Sequence, residues 1–285
     1  MKANLLITVI LPLLFGQPDN PYPSIGAIPV PAGYRRIPAD RDPFADWLRR
    51  IPLKKNKTVY LFDGRPKVNQ DAQFAVLDVS VGRQDLQQCA DAIMRLRSEF
   101  FYSRKEFGDI NFYTEQGIRL NFGEWVNGNR FKLHGNQLIR YVQTEEDRSG
   151  GGSRSGVHPG GDSRSGARSC FDEYLRTVFT FCGTRSLERQ LAPAGSFENI
   201  QIGDVLIHGG SPGHAMLVVD MAADEKGHKI CLLAQSYMPA QDIHIVKNPS
   251  GGGGSPWYSP EEDKPVYTPE YTFYPGQLRR WPKTP

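Results

Sequence analysis

A histidine, a glutamine and two cysteines supply the residue types that nucleophilic catalysis needs. His214 follows the turn GGSPG and opens an apolar run, and Gln235 ends the next apolar run along the chain. A histidine at the start of a strand is well placed to move a proton, and an amide beside it can hold the imidazole in one tautomer. The two residues therefore predict a cysteine hydrolase site, provided that a cysteine sulfur lies in the same cleft as His214.

Two cysteines compete for the role of nucleophile. A helix N-terminus favours a thiolate, so a cysteine at the start of a helix is the expected arrangement. Cys170 stands at the start of a predicted helix, 171–191, but it follows a low-complexity tract. Cys89 lies in the first turns of a predicted helix, 84–102, behind Gln88, whose amide could bind an oxyanion. Cys89 also falls on the apolar face of that helix, which is typical of a buried structural thiol. Either cysteine, or neither, remains open as the nucleophile.

The residues around the glycine-rich turn and the end of the next strand are expected to line the same cleft. Glycines let the backbone approach a cleft closely. The substrate-binding residues predicted on this basis are Gln88, His208, Gly210, Ser211, Gly213, Ser236 and Tyr237.

A metal-dependent site is a further hypothesis. His208 and His214 could bind a metal ion together with Asp204 or Asp220. Their spacing matches no zinc motif. The sequence therefore predicts no metal and no other cofactor.

The elements that must position these residues are two amphipathic helices and several short strands. The three-and-four spacing of apolar residues predicts the helices 84–102 and 171–191, and apolar runs predict strands at 58–62, 74–80, 203–207, 214–220, 230–234 and 243–246. A hairpin is expected over 110–122. Aromatic residues of the C-terminal segment, among them Tyr271 and Phe273, are expected to pack back over the core. The predicted fold is α+β, with two helices on a mostly antiparallel sheet.

The chain is expected to be one exported domain. Lys2 followed by an apolar run to Phe15 is typical of a signal peptide over 1–17. A Pro/Gly-rich linker, 18–34, precedes a single domain, 35–285, with a disordered Gly/Ser/Arg insertion at 148–168. No second membrane segment is apparent. The net charge of +3 gives no basis for nucleic acid as a partner, and the oligomeric state stays open.

Residues 169–240 resemble the NlpC/P60 papain-like hydrolases in the order of helix cysteine, Gly-Asp strand, His-led strand and polar residue. This resemblance implies a papain-like core and a cysteine hydrolase that cleaves amide bonds in cell-wall peptides. The expected Asp-Cys signature is absent, since the run around Cys170 is Ser-Cys-Phe. A non-catalytic envelope binding or assembly protein with the same fold is therefore the alternative.

Longer strings, LQQCADAIMRLRSEF, GDVLIHGGSPGHAMLVVDMA, LLAQSYMPAQDIHI and SPWY, resemble an uncharacterised bacterial envelope family, domain of unknown function 4846. That resemblance implies an exported protein of the bacterial periplasm or cell envelope, without an established activity. The QQCADA string favours Cys89 over Cys170. The implied partner is a cell-wall peptide or another envelope component.

Overall fold

The computed structural model describes residues 19–143 and 164–282. The predicted signal peptide, 1–17, and residues 148–163 of the predicted insertion lie outside the described residues. The described helices are α1 (Pro43–Arg49), α2 (Cys89–Ser103), α3 (Phe122–Val126), α4 (Arg164–Phe181) and α5 (Thr184–Gln190). The strands are β1 (Arg35–Arg36), β2 (Gln73–Val76), β3 (Asn111–Tyr113), β4 (Arg119–Asn121), β5 (Asn129–His134), β6 (Gln137–Val142), β7 (Ala192–Pro193), β8 (Val205–His208), β9 (His214–Ala223), β10 (Lys229–Gln235), β11 (His244–Val246), β12 (Trp257–Tyr258), β13 (Val266–Tyr267), β14 (Thr272–Phe273) and β15 (Leu278–Arg280).

A nine-stranded sheet forms the centre of the described structure. Its main path runs β2-β11-β10-β9-β8-β15-β7, with β1 paired to β9 and β12 paired to β10. Every one of these pairings is antiparallel. The fold is therefore α+β with an antiparallel sheet, as the sequence predicts.

Both faces of the sheet are covered, which explains why β9 is buried from His214 to Ala222 and, apart from His214 and Asp220, is apolar instead of alternating. Ala215, Leu217 and Val219 face the larger core, which holds α2, α4 and α5. Met216 and Val218 face a second core, to which the C-terminal segment contributes Phe273. The C-terminal aromatic segment thus packs on the sheet, in agreement with the sequence-based expectation.

Helix α2 begins later than the sequence predicts, at Cys89 instead of residue 84. The carboxylate of Asp91 accepts a hydrogen bond from the backbone N–H of Gln88 at 3.0 Å and so caps the helix start. The cap fixes Cys89 as the first helical residue. The apolar face of α2 packs against β9 and β10, which brings its N-terminus to the end of the sheet where β9 begins.

Several predicted boundaries differ from the structure. The predicted helix 171–191 is two helices, α4 and α5, and α4 begins at Arg164. Residues 164–168 of the predicted disordered tract are therefore helical. Of the predicted strand 58–62, only isolated bridges at Tyr60 and Leu61 form.

The segment predicted as a linker packs on the domain. Ile25 and Ile28 are fully buried in the larger core, because removing apolar side chains from water lowers the free energy of the folded state. Just beyond it, Arg36 and Arg49 bind the fully buried carboxylate of Asp220, with Nε–O distances of 2.7 and 2.6 Å. These contacts tie the N-terminal part of the domain to β9.

Across residues 19–143 and 164–282, none of the helices combines the length and the apolar character that a bilayer crossing requires.

Candidate functional site

A cavity of about 550 Å³ opens where the N-terminus of α2 meets the start of β9. Cys89 and His214 both line this cavity. Four of the predicted substrate-binding residues around the glycine-rich turn and β10 line it as well, and so does the predicted oxyanion donor of α2. The predicted residues found in its wall are Gln88, Cys89, Gly210, Ser211, Gly213, His214 and Tyr237.

The Cys89 thiol is held at the first position of α2 with only 9% of the residue exposed. Burial, together with the charge of Asp91, raises the pKa of Cys89 to about 11, although hydrogen bonds with the backbone of Ala90, Ala215 and Cys89 itself act in the opposite direction. Because Ala215 directly follows His214, its effect places the sulfur next to the start of β9. The resting form of Cys89 at neutral pH is the thiol.

The imidazole of His214 is oriented by Gln235, as the sequence suggested for these two residues. His214 Nε2 lies 2.7 Å from Gln235 Oε1. The pair sits at the adjoining ends of the neighbouring antiparallel strands β9 and β10. Burial lowers the pKa of His214 to about 4, against opposing effects of Gln235 and Glu270. The imidazole is therefore neutral at pH 7.

Gln235 is itself held by groups that sequence reasoning did not connect to the site. Its Nε2 lies 2.6 Å from Glu270 Oε2 and 3.2 Å from His244 Nε2. Lys67 Nζ lies 2.6 Å from the same Glu270 oxygen. His244 lies in β11 directly opposite Gln235, a pairing between strands that the sequence of either strand alone does not indicate. No local pattern linked Lys67 and Glu270 to the cavity, because both come from segments remote in sequence.

Aromatic side chains surround the His214 ring. The ring centroids of Tyr237, Tyr271 and Phe273 lie 5.0, 5.1 and 5.9 Å from that of His214. These rings exclude water from the imidazole, which is 1% exposed. Tyr271 and Phe273 belong to the C-terminal segment, so this segment forms one wall of the site.

The turn before His214 requires glycine because it packs closely against the start of α5. A Cβ at Gly213 would lie 2.4 Å from the Gly210 carbonyl oxygen and 2.8 Å from Thr184 Oγ1. Gly210 has a φ of +133°, a region that L side chains rarely adopt. The turn is thereby fixed against α5, and β9 starts at the cavity.

Three predicted site residues lie elsewhere. Cys170 is the seventh residue of α4 instead of its first, is buried in the larger core and is not among the residues lining the cavity. Ser236 is fully buried, and its hydroxyl lies 2.8 Å from the carbonyl oxygen of Gln241 and 3.0 Å from that of Gln87, either of which can accept its one proton. His208 is exposed and contacts Gln277, with 3.0 Å between Nδ1 and Nε2. None of the three has the position that its predicted role requires.

Cys89 and His214 share the cavity without a direct hydrogen bond between thiol and imidazole among the contacts of the described residues. With the thiol protonated and the imidazole neutral, the resting site is an uncharged pair. Formation of a thiolate and an imidazolium therefore has to accompany substrate binding and attack.

The residues proposed for a metal site have other partners. The carboxylates proposed for a metal site are engaged by arginines, Asp204 by Arg280 and Asp220 by Arg36 and Arg49. No group of three or more His, Cys, Asp or Glu side chains in the described part of the chain is arranged to hold a metal ion. None of the four cysteines, all within the described residues, forms a disulfide.

The chain belongs to the family described as domain of unknown function (4846), whose model matches residues 26–280. The match spans the cavity, the helices α2, α4 and α5 that line it, and the C-terminal wall. No curated protein matches the chain significantly. No solved structure matches it significantly either.

Proposed function

We propose that the protein is an exported cysteine hydrolase that cleaves amide bonds in cell-wall peptides. The observation that carries the proposal is that Cys89, at the start of α2, and His214, oriented by Gln235, line one cavity. A nucleophile at a helix start, a base and a group that orients the base are the parts that acyl transfer needs. The order of these residues along the chain supports a papain-like, NlpC/P60-like arrangement, with Cys89 as nucleophile in place of Cys170.

The reaction begins when His214 takes the proton of the Cys89 thiol and the sulfur attacks the carbonyl carbon of the scissile amide. The base is Nδ1, because Nε2 is bonded to Gln235. The carbonyl oxygen becomes an oxyanion, for which the backbone N–H of Cys89 and the amide of Gln88 are the available donors at the helix start. His214 then returns the proton to the leaving nitrogen, and the C–N bond breaks.

A thioester between Cys89 and the acyl group remains after the amine leaves. Water then attacks the same carbonyl carbon, and His214 accepts one of its protons. The C–S bond breaks, the proton returns to sulfur, and a carboxylic acid is released. Each cycle consumes one amide and one water and yields one amine and one acid.

The export part of the proposal rests on the sequence. Lys2 and the apolar run that ends at Phe15 support a signal peptide. The family resemblance found in the sequence supports a periplasmic or envelope location. An envelope peptide is a substrate that such a protein can reach.

A specific observation favours the alternative, a non-catalytic envelope binding or assembly protein. Burial stabilises the uncharged form of both Cys89 and His214, and a resting thiolate is absent. On this alternative the cavity binds a peptide or envelope component without cleaving it.

The deciding experiment incubates the purified protein with soluble cell-wall peptides and measures new amino groups and product masses. Cys89→Ala and His214→Ala are each expected to abolish cleavage. Cys170→Ala is the matched control, because that cysteine lies outside the cavity, and it should cleave like the unaltered protein. Binding of the peptides without cleavage, identical in all four proteins, would establish the alternative.

A further inference from the structure

The amide of Gln235 has two orientations that place either oxygen or nitrogen against His214. Side-chain amide oxygen and nitrogen are told apart by their partners, because one only accepts and the other only donates hydrogen bonds. The neighbours of Gln235 on the side away from His214 therefore decide which atom faces the imidazole.

His244 is the first of these neighbours. Its Nδ1 lies 2.9 Å from the carbonyl oxygen of Asp242. A carbonyl oxygen only accepts, so the proton of the neutral ring is on Nδ1 and His244 Nε2 is an acceptor. Burial lowers the pKa of His244 to about 3, which keeps the ring neutral. The 3.2 Å contact between His244 Nε2 and Gln235 Nε2 is therefore a hydrogen bond donated by Gln235.

Glu270 is the second neighbour and demands the same orientation. Its carboxylate accepts the other N–H of Gln235 at 2.6 Å. Lys67 holds this carboxylate in place by an ion pair in which the two side chains are only 7% and 13% exposed. Both protons of the Gln235 amide are thus used, and Gln235 Oε1 is left to face His214.

The orientation of Gln235 determines the tautomer of His214. Because Gln235 Oε1 only accepts hydrogen bonds, His214 Nε2 carries the proton and Nδ1 is unprotonated. An unprotonated Nδ1 can accept a proton from a thiol. With the amide reversed, Nε2 would become the acceptor, Nδ1 would carry the proton, and the base would be blocked.

We propose that Glu270, anchored by Lys67, is a positioning residue that fixes the Gln235 amide and, through it, the Nε2-protonated tautomer of His214. The catalytic importance of this tautomer rests on the function proposed above, whereas the tautomer itself does not. Glu270 acts through Gln235. The next residue in the chain, Tyr271, packs on His214 with 5.1 Å between the two ring centroids. The C-terminal segment thus supplies both an aromatic wall and the group that orients the base.

The test reads the histidine tautomers directly by two-bond ¹H–¹⁵N correlation spectra of ¹⁵N-labelled protein at pH 7. In the unaltered protein we expect His214 with a protonated Nε2 and His244 with a protonated Nδ1. Glu270→Ala should move part of the His214 population to the Nδ1-protonated form, because only the longer 3.2 Å contact with His244 then holds the Gln235 amide in its orientation. His244 should stay unchanged, because its partner is the Asp242 carbonyl oxygen.

Glu270→Gln is the matched variant, because it removes the charge but keeps an oxygen that can accept the N–H of Gln235. It should retain the His214 tautomer of the unaltered protein. Glu261→Ala removes an exposed carboxylate remote from His214 and serves as the control. Circular dichroism confirms that each variant is folded.

A protonated Nδ1 on His214 in the unaltered protein would overturn the proposal, and this reading needs no variant to fold. An unchanged His214 spectrum in folded Glu270→Ala would overturn it as well. If amide cleavage occurs, Glu270→Ala should also reduce kcat/KM at least about tenfold, as loss of an outer partner of a functional group does. If the tautomers respond as expected and no amide is cleaved, the proposed function fails and the positioning role stands.

Discussion

Gln235 Oε1 lies 2.7 Å from His214 Nε2, across the junction of two neighbouring strands. This contact occupies Nε2 and not Nδ1, and His214 lines a cavity that Cys89 also lines. On the proposed function, the two ring nitrogens of His214 have separate tasks, Nε2 in orientation and Nδ1 in proton transfer.

The free energy of unfolding should fall as the pH is lowered from about 6.5 toward 4. Burial lowers the pKa of His214 to about 4 and that of His244 to about 3, from an ordinary value of 6.5. In this pH range the two histidines are protonated in the unfolded chain but stay neutral in the folded chain, so acid favours unfolding. Each histidine contributes up to about 1.4 kcal/mol per pH unit. Urea unfolding at a series of pH values measures the slope.

His214→Asn should make that decline shallower, because one of the two buried imidazoles is gone. His228→Asn is the control, since His228 is exposed and should leave the slope unchanged. Equal slopes in His214→Asn and the unaltered protein would contradict the buried, neutral state of His214.

Gly213→Ala should destabilise the fold and displace the start of β9. The new Cβ would meet the Gly210 carbonyl oxygen at 2.4 Å and the His208 carbonyl oxygen at 2.9 Å, and backbone atoms cannot yield without moving the turn. The expected loss is about 1–3 kcal/mol in the free energy of unfolding. Gly252→Ala, where a Cβ meets nothing within 4 Å, should be close to neutral. Similar stabilities of the two variants would show that the turn is not tightly packed.

Asp220→Asn should cost about 3 kcal/mol or more of unfolding free energy. The carboxylate is fully buried, and its loss leaves Arg36 and Arg49 without their charged partner. Asp46→Asn provides a comparison, because its ion pair with Arg50 is exposed and should change stability by less than about 1 kcal/mol. A small effect of Asp220→Asn would mean that the N-terminal part of the domain is anchored by its apolar contacts instead.

The sequence indicated that His214 and Gln235 lie close together because they belong to consecutive strands. The apolar runs after His214 and before Gln235 identify β9 and β10, and consecutive antiparallel strands place their adjoining ends together. The apolar spacing extends N-terminally to Leu86 and so predicts a helix start five residues too early. In the structure the hydrogen bond from the Gln88 N–H to Asp91 caps the N-terminus, and the helix begins at Cys89. That cap makes Cys89, and not an interior position, the helix start.

Other parts of the site depend on contacts between distant segments. Lys67 meets Glu270, Glu270 meets Gln235 and Tyr271 meets His214 only after the chain has folded. Nothing in the local sequence of these segments indicates such a partner. The sequence predicts Cys170 at the start of a helix, because the composition of 148–168 indicates disorder almost up to that cysteine. The residues 164–168 join α4 instead, so Cys170 has a full turn of helix before it.

The most direct test of the proposed nucleophile is the rate at which iodoacetamide alkylates each cysteine at pH 7–9, resolved by peptide mapping. If Cys89 and His214 act together, Cys89 should be alkylated faster than Cys182, although Cys182 is the more exposed thiol of the same cavity. His214→Asn should slow Cys89 about tenfold or more and leave Cys182 unchanged, since a general base contributes at least that much. Preferential labelling of Cys182, or an unchanged Cys89 rate in His214→Asn, would contradict the pairing of Cys89 with His214.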